Sequence, residues 1–383
     1  MRVLPDYKGG SIVNLMSSLA KGLGGTSRYR ESRLLPASEV AKAKNVVLLV
    51  VDGMGYEFFR QYGKEHVFSE GLQGKMTSCF PSTTAACIPL FLTGVPPQQH
   101  ALTGWHVYLK ELGVVSTILL YVNRYGGESL LLPVDWLMDQ PSFFSQVKAK
   151  CFSVAAKKIQ SSEFSHFFTK DAVFLNGDSL KGLFRGIRKG IQARGRKKYI
   201  YAYWPGVDSL CHEFGTKSLQ AFSHFHEIGL AFQSFLKSIK GTNTLVVVTA
   251  DHGLIDTEEK KVVWLEEHPR LQECLVLPLA GDMRTQNCYV RPSKEKEFVR
   301  YVRQRLKKVC WLHKGEELIK KGYYGLGKPN KKLFDRVGDY VLIMKENYIL
   351  KDRLMTEPPK VHVGNHGGLS KEEMFVPLIV VRT

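Results

Sequence analysis

Two kinds of apolar run alternate along the chain. Short, unbroken β-branched stretches recur at Asn45 to Val51, Val114 to Val122, Tyr199 to Trp204, Thr244 to Ala250 and Phe375 to Arg382. Strands apolar on both faces belong to a sheet covered on both sides, which predicts a mostly parallel α/β architecture. Between them lie helical periods. Ser218 to Lys240 puts Leu219, Phe222, Phe225, Phe232, Leu236 and Ile239 on one stripe, and Glu295 to Lys308 reads as a charged amphipathic helix. Near the start, Ile12, Val13, Leu15, Met16 and Leu19 make one more apolar face, expected to pack on the sheet edge.

The bulk properties narrow the classes. The 383 residues are 44% hydrophobic and 23% charged, which is a globular balance with enough apolar residues for a large core. The longest apolar runs fall well short of the ~18 residues of a membrane span. Pro5, Asp6 and the Gly9-Gly10 pair interrupt the place where a signal peptide carries its apolar core. Seven cysteines are scattered without a C-x-x-C pair, which favours reduced thiols and a cytoplasmic location. The balance of 54 Lys+Arg against 36 Asp+Glu gives +18, which favours anionic substrates and allows polyanion partners. Its densest part, Lys181 to Lys198, holds eight basic residues and no acid, and reads as a solvated helix face before the strand at Tyr199.

The chemistry sits at strand ends. Asp52, Asp208 and Asp251 each follow an apolar run, and in doubly wound sheets ligands bind just beyond the carboxyl ends of strands. Any one of these acids alone would read as a turn or cap residue. Histidines change that reading. Asp208 and His212 are one helical turn apart, Asp251 and His252 are adjacent, and His366 precedes Gly367-Gly368. Three Asp and three His suit Zn²⁺, with Mn²⁺ or Fe as alternatives, and six such ligands match two ions better than one. A metal pair roughly 4 Å apart suits in-line displacement at phosphorus. Ser82, Thr83 and Thr84 follow Pro81 and precede an apolar run, the mark of a helix start, where N–H groups would hold a phosphate beside a hydroxyl nucleophile.

These motifs, in this order, carry a resemblance. Asp52-Gly-Met-Gly55, the Ser/Thr-rich helix start with Leu92-Thr93-Gly94, Asp208-x-x-x-His212, Asp251-His252-Gly253 and His366-Gly367-Gly368 resemble the alkaline phosphatase superfamily. More closely, the chain is similar to its type I phosphodiesterase/nucleotide pyrophosphatase branch, from about Asn45 to the C-terminus. The sulfatase pattern is imitated at Cys79-Phe80-Pro81 but lacks its Arg.

The resemblance implies a three-layer α/β/α domain with a mostly parallel sheet and a small inserted cap. Expected boundaries are 1–44 for an N-terminal extension packed on the core, 45–383 for the catalytic domain and about 268–345 for the cap. It implies two Zn²⁺ per chain, one on Asp208, His212 and His366, the other on Asp52, Asp251, His252 and the nucleophile. Counting ten residues back from Gly94, where the family keeps its nucleophile, lands on Thr84. Trp105 stands where the nucleotide pyrophosphatases carry an Asn, and Thr103, Trp105 and His106 are the candidates to replace it. Arg284, Lys328, Lys331, Lys332 and Arg336 of the expected cap are candidates to lie over a substrate phosphate. The implied function is a phosphodiesterase or nucleotide pyrophosphatase working through a phospho-threonine. Alternatives are a phosphomonoesterase or phosphonate hydrolase on the same site, or a polyanion-binding protein that has lost catalysis.

Overall fold

A central seven-stranded sheet carries the strands that lead into Asp52, Asp208 and Asp251. The computed structural model describes residues 2–63, 66–357 and 361–383. Across the sheet the order is Leu72–Thr77, Phe375–Arg382, Thr244–Thr249, Asn45–Val51, Lys198–Trp204, Lys150–Ala155 and Val173–Asn176. Only Phe375–Arg382 runs against its neighbours. Asn45–Val51 and Thr244–Thr249 are buried at every residue, so their apolar runs face packed layers on both sides.

The register explains why the acids meet. Val51 pairs with Trp204, and Val50 pairs with both Tyr203 and Thr249. Asp52 and Asp251 therefore leave neighbouring strands at the same edge, and Asp208 follows Trp204 by one turn. Crossover helices supply the cover. Leu219–Ser238 buries Ala221, Phe225, Ile228, Phe232 and Phe235, and Ser218 caps it through the Ala221 N–H. At the N-terminus, Ile12–Gly22 buries Ile12, Val13, Leu15, Met16 and Leu19 in the same core as the central sheet.

A second seven-stranded sheet stands beside the first. Its order is Cys310–Lys314, Tyr340–Met344, Thr285–Cys288, Ala280–Asp282, His106–Leu109, Val114–Thr117 and Val122–Asn123. It draws strands from two separated stretches of chain, and each adjoining pair is antiparallel. The apolar run Val114 to Val122 is two strands rather than one, because the chain turns over at Tyr121, whose φ is 61°.

The basic run folds as a solvated face. In Leu180–Gln192, Leu183, Phe184, Ile187 and Ile191 are buried, while Lys181, Arg185, Arg188 and Lys189 are exposed. Its last two lysines are structural. Lys198 Nζ donates to the carbonyls of Ile191 (2.6 Å) and Ala193 (2.9 Å), closing the helix C-terminus, and Lys197 Nζ donates to those of Ala41 and Ala43. All seven cysteines are buried and unbridged. Among the described residues no helix is long and apolar enough to cross a membrane.

Candidate metal centre and nucleophile

The crevice outside the strand ends gathers all seven expected residues. Two groups of donor atoms lie within 4.8 Å of one another: Asp52, Asp251 and His252 form one, and Asp208, His252 and His366 the other. His212 joins the second group through Asp208, its Nε2 lying 3.2 Å from Asp208 Oδ2. His252 sits between the groups, 3.3 Å from Asp251 Oδ2 and 3.5 Å from Asp52 Oδ1, with its ring stacked on that of His366 at 3.9 Å.

Four of the candidate ligands, Asp52, Asp251, His252 and His212, are held by the atom that faces away from the cluster. Tyr203 OH donates to Asp52 Oδ2. Asp251 Oδ1 accepts from the N–H groups of His252 (3.0 Å) and Gly53 (3.3 Å). His252 Nδ1 lies 3.1 Å from the Gly253 carbonyl, and His212 Nδ1 lies 2.8 Å from that of Gly364. A proton on each Nδ1 satisfies those carbonyls, and both Nε2 atoms face carboxylates.

What remains is a set of buried atoms without partners. Asp52 Oδ1, Asp208 Oδ1, Asp251 Oδ2 and His366 Nδ1 make no hydrogen bond. Burial pushes the Asp52 carboxyl well above the usual range, and the nearby Asp251 and Asp208 carboxylates push the same way. Burial and the neighbouring His252 hold His366 well below its ordinary value, so its imidazole is neutral and able to ligate. Orphaned carboxylate oxygens beside the neutral His366 ring and the Nε2 atoms of His212 and His252 are the donor set of a divalent-metal site, and the residues present fit two ions.

Thr84 opens the helix Thr84–Thr93, with Thr83 as its N-cap residue in extended conformation. Thr84 Oγ1 lies 3.0 Å from His252 Nε2, against the cluster. The other two hydroxyls are engaged elsewhere. Ser82 Oγ donates to the Gly368 carbonyl at 2.8 Å, and Thr83 Oγ1 donates to Asp282 Oδ1 at 3.1 Å.

A cleft of about 520 Å³ opens at Thr84, Asp208, His212 and His366 and runs outward along Trp105, His106, Leu120, Leu279 and Met283. Thr103 is outside it, donating to the Arg336 carbonyl at 3.0 Å. His106 lines it as a neutral ring, burial pushing its pKa down to about 3. Two of the expected cap cations are not over the cleft. Arg284 is buried against Glu373, with bonds of 3.0 and 2.7 Å, and Arg336 is buried against Glu111 at 3.1 Å. Guanidinium groups locked on carboxylates hold chain segments together and cannot reach a phosphate.

Three residues were invisible to the motif reading. Tyr203 closes the strand whose alternate tyrosines, Tyr199, Tyr201 and Tyr203, share one face, and that period-two pattern is the signal that could have found it. Glu373 accepts from the Gly368 N–H at 2.7 Å and so fixes the loop carrying His366. Asp282 lies in the cleft wall, and nothing in its Gly-Asp-Met surroundings marks it.

Strand-end Asp and His residues beside a helix-start threonine, on a three-layer α/β scaffold, define a phosphohydrolase of the alkaline phosphatase superfamily. Within it, the chain belongs to the type I phosphodiesterase/nucleotide pyrophosphatase family, whose model matches residues 46–369. Its enzymes are hydrolases acting on phosphoester and phosphoanhydride bonds. No curated protein matches the sequence. Among solved structures, murine ectonucleotide pyrophosphatase/phosphodiesterase 5 is similar at 17% identity, covering 87% of each chain with a TM-score of 0.65. The human protein of that name is similar at 12% identity, 88% and 87% coverage and 0.66. Phosphonoacetate hydrolase from Sinorhizobium meliloti 1021, in complex with phosphonoacetate, is similar at 16% identity, 88% and 90% coverage and 0.64. At these identities the structures establish the fold.

Proposed function

We propose that the chain is a two-zinc phosphodiesterase or nucleotide pyrophosphatase in which Thr84 Oγ1 attacks phosphorus. The observation that carries this reading is the 3.0 Å approach of that hydroxyl to His252 Nε2 at the floor of a cleft lined by Asp208, His212 and His366. Asp52, Asp251, His252 and Thr84 would hold one ion; Asp208, His212 and His366 would hold the other. Bound there, such a pair supplies Lewis acidity to both the attacking and the leaving oxygen.

The chain's own groups do the rest. A phosphate beside Thr84 meets the unsatisfied N–H groups of the first helical turn. Past Thr84 the cleft continues along Trp105, Leu120 and Leu279, which gives a second ester group an apolar place and supports a diester over a monoester. With Arg284 and Arg336 locked on carboxylates, neither of these cap guanidiniums is available to the extra charge of a monoester. Attack forms the Thr84 Oγ1–phosphorus bond and breaks the bond to one ester oxygen, and the hydroxyl proton passes to the departing oxygen or to solvent. Water then displaces Thr84 Oγ1 from the opposite side, releasing the phosphoryl group with its remaining ester and regenerating the hydroxyl.

Nucleotide esters are one substrate class, since AMP is bound in an inactive form of the murine relative. The buried, unbridged thiols support a reducing compartment. The test is a parallel assay of bis-p-nitrophenyl phosphate, p-nitrophenyl phosphate, a nucleotide p-nitrophenyl ester and phosphonoacetate, with metal analysis of the same sample. Diester turnover above monoester turnover, lost in Thr84→Ala, is the expected result. Cleavage of phosphonoacetate alone would replace this reading with C–P hydrolysis.

A further inference from the structure

Asp282 is an acid on the wall of the cleft that opens at Thr84, and neither candidate metal group among the described residues includes it. Its two oxygens have separate tasks. Oδ1 accepts from the Thr83 hydroxyl at 3.1 Å, at the start of the Thr84 helix. Oδ2 accepts from the Trp105 N–H at 3.2 Å, at the start of the strand His106–Leu109. A carboxylate is suited to such a post, because it offers acceptor oxygens in two directions.

Close backbone approach makes the reach possible. Gly281, one residue before Asp282, pairs with His106 and adopts a φ of 95°. A Cβ on Gly104 would lie 2.5 Å from Gly281 Cα, and one on Gly367 would lie 3.0 Å from Asp282 Cβ. Three segments thus converge on Asp282: the nucleophile's helix start, the Gly104-Trp105 loop and the glycine pair after His366. Substituting either glycine would push one of them away.

Trp105 is the apolar part of this assembly that lines the cleft. It lines the same cleft as Thr84, half-buried, and is a flat apolar group beside Leu120, Leu279 and Met283. Its position relative to Thr84 is fixed through two hydrogen bonds and one side chain.

We infer that Asp282 is a positioning residue which ties Trp105 to the Thr84 helix, and that Trp105 is a specificity-determining wall selecting substrates with a planar aromatic group beside the reacting phosphorus. The inference rests on the phosphodiesterase reading for its substrates, but one arm of its test does not need turnover. The first arm compares phenyl p-nitrophenyl phosphate with methyl p-nitrophenyl phosphate, which lose the same leaving group. The second arm measures binding of phenylphosphonate and methylphosphonate to the zinc-loaded protein by calorimetry.

The wild type should favour phenyl over methyl in both arms. Trp105→Ala should cut that preference by roughly tenfold, the size of an aromatic contact. Asp282→Ala should do the same with Trp105 still present, at unchanged zinc content. Asp282→Asn should retain most of the preference, because its carbonyl accepts from Trp105 while the Thr83 hydroxyl can turn to accept from its amide. A preference untouched by Trp105→Ala overturns the assignment of the wall. A preference lost in Trp105→Ala but kept in folded Asp282→Ala overturns the positioning role, and loss of the preference in folded Asp282→Asn would do so even if the Ala variant failed to fold. If no ester is turned over while the binding preference still follows these variants, the phosphodiesterase reading fails and the inference stands.

Discussion

Thr84 Oγ1 lies 3.0 Å from His252 Nε2, and the next hydroxyl back along the chain, Thr83 Oγ1, points instead at Asp282. One residue step therefore separates a group against the metal cluster from a group in the cleft wall. Thr84→Ala should lose several orders of magnitude in diester turnover while keeping its zinc, as expected when an attacking group is removed. Thr83→Ala should retain most turnover. Two in-line displacements give net retention at phosphorus, so a chiral phosphorothioate ester should keep its configuration. Inversion would mean that water attacks directly.

Metal content is the second measurable. Leaving several buried carboxylate oxygens unpaired costs several kcal/mol each. The purified protein should hold about two zinc equivalents, in keeping with its six-residue donor set. Chelation should lower the melting temperature as well as activity, because the ions bind the folded form alone. Asp52→Asn and His366→Ala should each remove most of the activity. Asp52→Asn has a further consequence: its amide can place an –NH₂ against the Tyr203 hydroxyl, which then has to turn round to accept. One ion or none at saturating zinc would refute the two-metal reading.

Much of this was legible in the sequence, for identifiable reasons. The runs at Asn45, Tyr199, Thr244 and Phe375 are apolar on both faces, and only a covered sheet buries such strands. The first three lead into Asp52, Asp208 and Asp251, whose type at a strand end betrays their chemistry. Ser82, Thr83 and Thr84 could not be ranked from propensity, since all three suit a helix start; the family's spacing pointed to Thr84. The second sheet was not legible as a unit. Its strands are three to five residues long or shorter, they come from stretches around 106–123 and 280–344, and short antiparallel strands carry little periodic signal. Tyr203, Glu373 and Asp282 act by holding other residues. The ties from Glu373 to Arg284, 89 positions away, and from Asp282 to Thr83, 199 positions away, leave no mark in the neighbourhood of either acid.

Glu373 gives a prediction on stability. It is fully buried, and although burial raises its carboxyl, the Arg284 guanidinium and the bonds from Ser370 and Gly368 win, leaving it below the ordinary value. A lowered carboxyl stabilises the fold above its unfolded pKa, and the contribution is lost as pH falls through the folded value. Glu373→Gln leaves Arg284 buried without its counter-charge, a cost of about 3–5 kcal/mol. Its melting temperature should fall by several degrees at pH 7. The difference from wild type should shrink as the pH is taken below 4. Activity should fall with it, because the Gly368 N–H held by Glu373 lies two residues from His366.

The basic helix separates substrate capture from other uses of charge. Lys181, Arg185, Arg188 and Lys189 are exposed along Leu180–Gln192, on the strand Val173–Asn176 side of the central sheet. If the excess of positive charge steers an anionic substrate, kcat/KM should fall as salt rises, since exposed charges are screened over about 8 Å at 0.15 M. Replacing Arg188, Lys189, Arg194 and Arg196 together by Gln should leave small-ester turnover nearly intact, because these residues lead into the Lys198 start of the strand Lys198–Trp204, whereas Asp208 follows its other end. A large loss would place part of the substrate on this face.

Asp282 supplies the last prediction, on pH. Burial pushes its carboxyl up to about 7, against the bonds from Thr83 and Trp105, which pull it down. The sign follows from linkage. A carboxyl raised in the folded state favours folding below its unfolded pKa, and that contribution is lost as pH rises through the folded value. Between pH 5 and 8 the wild type should therefore lose stability that Asp282→Asn, which cannot ionise, keeps. The melting temperature of Asp282→Asn minus that of wild type should rise from pH 5 to about 7 and then level off, measured at fixed zinc. A difference that is flat with pH would mean that Asp282 is already ionised at pH 5, held there by its two donors.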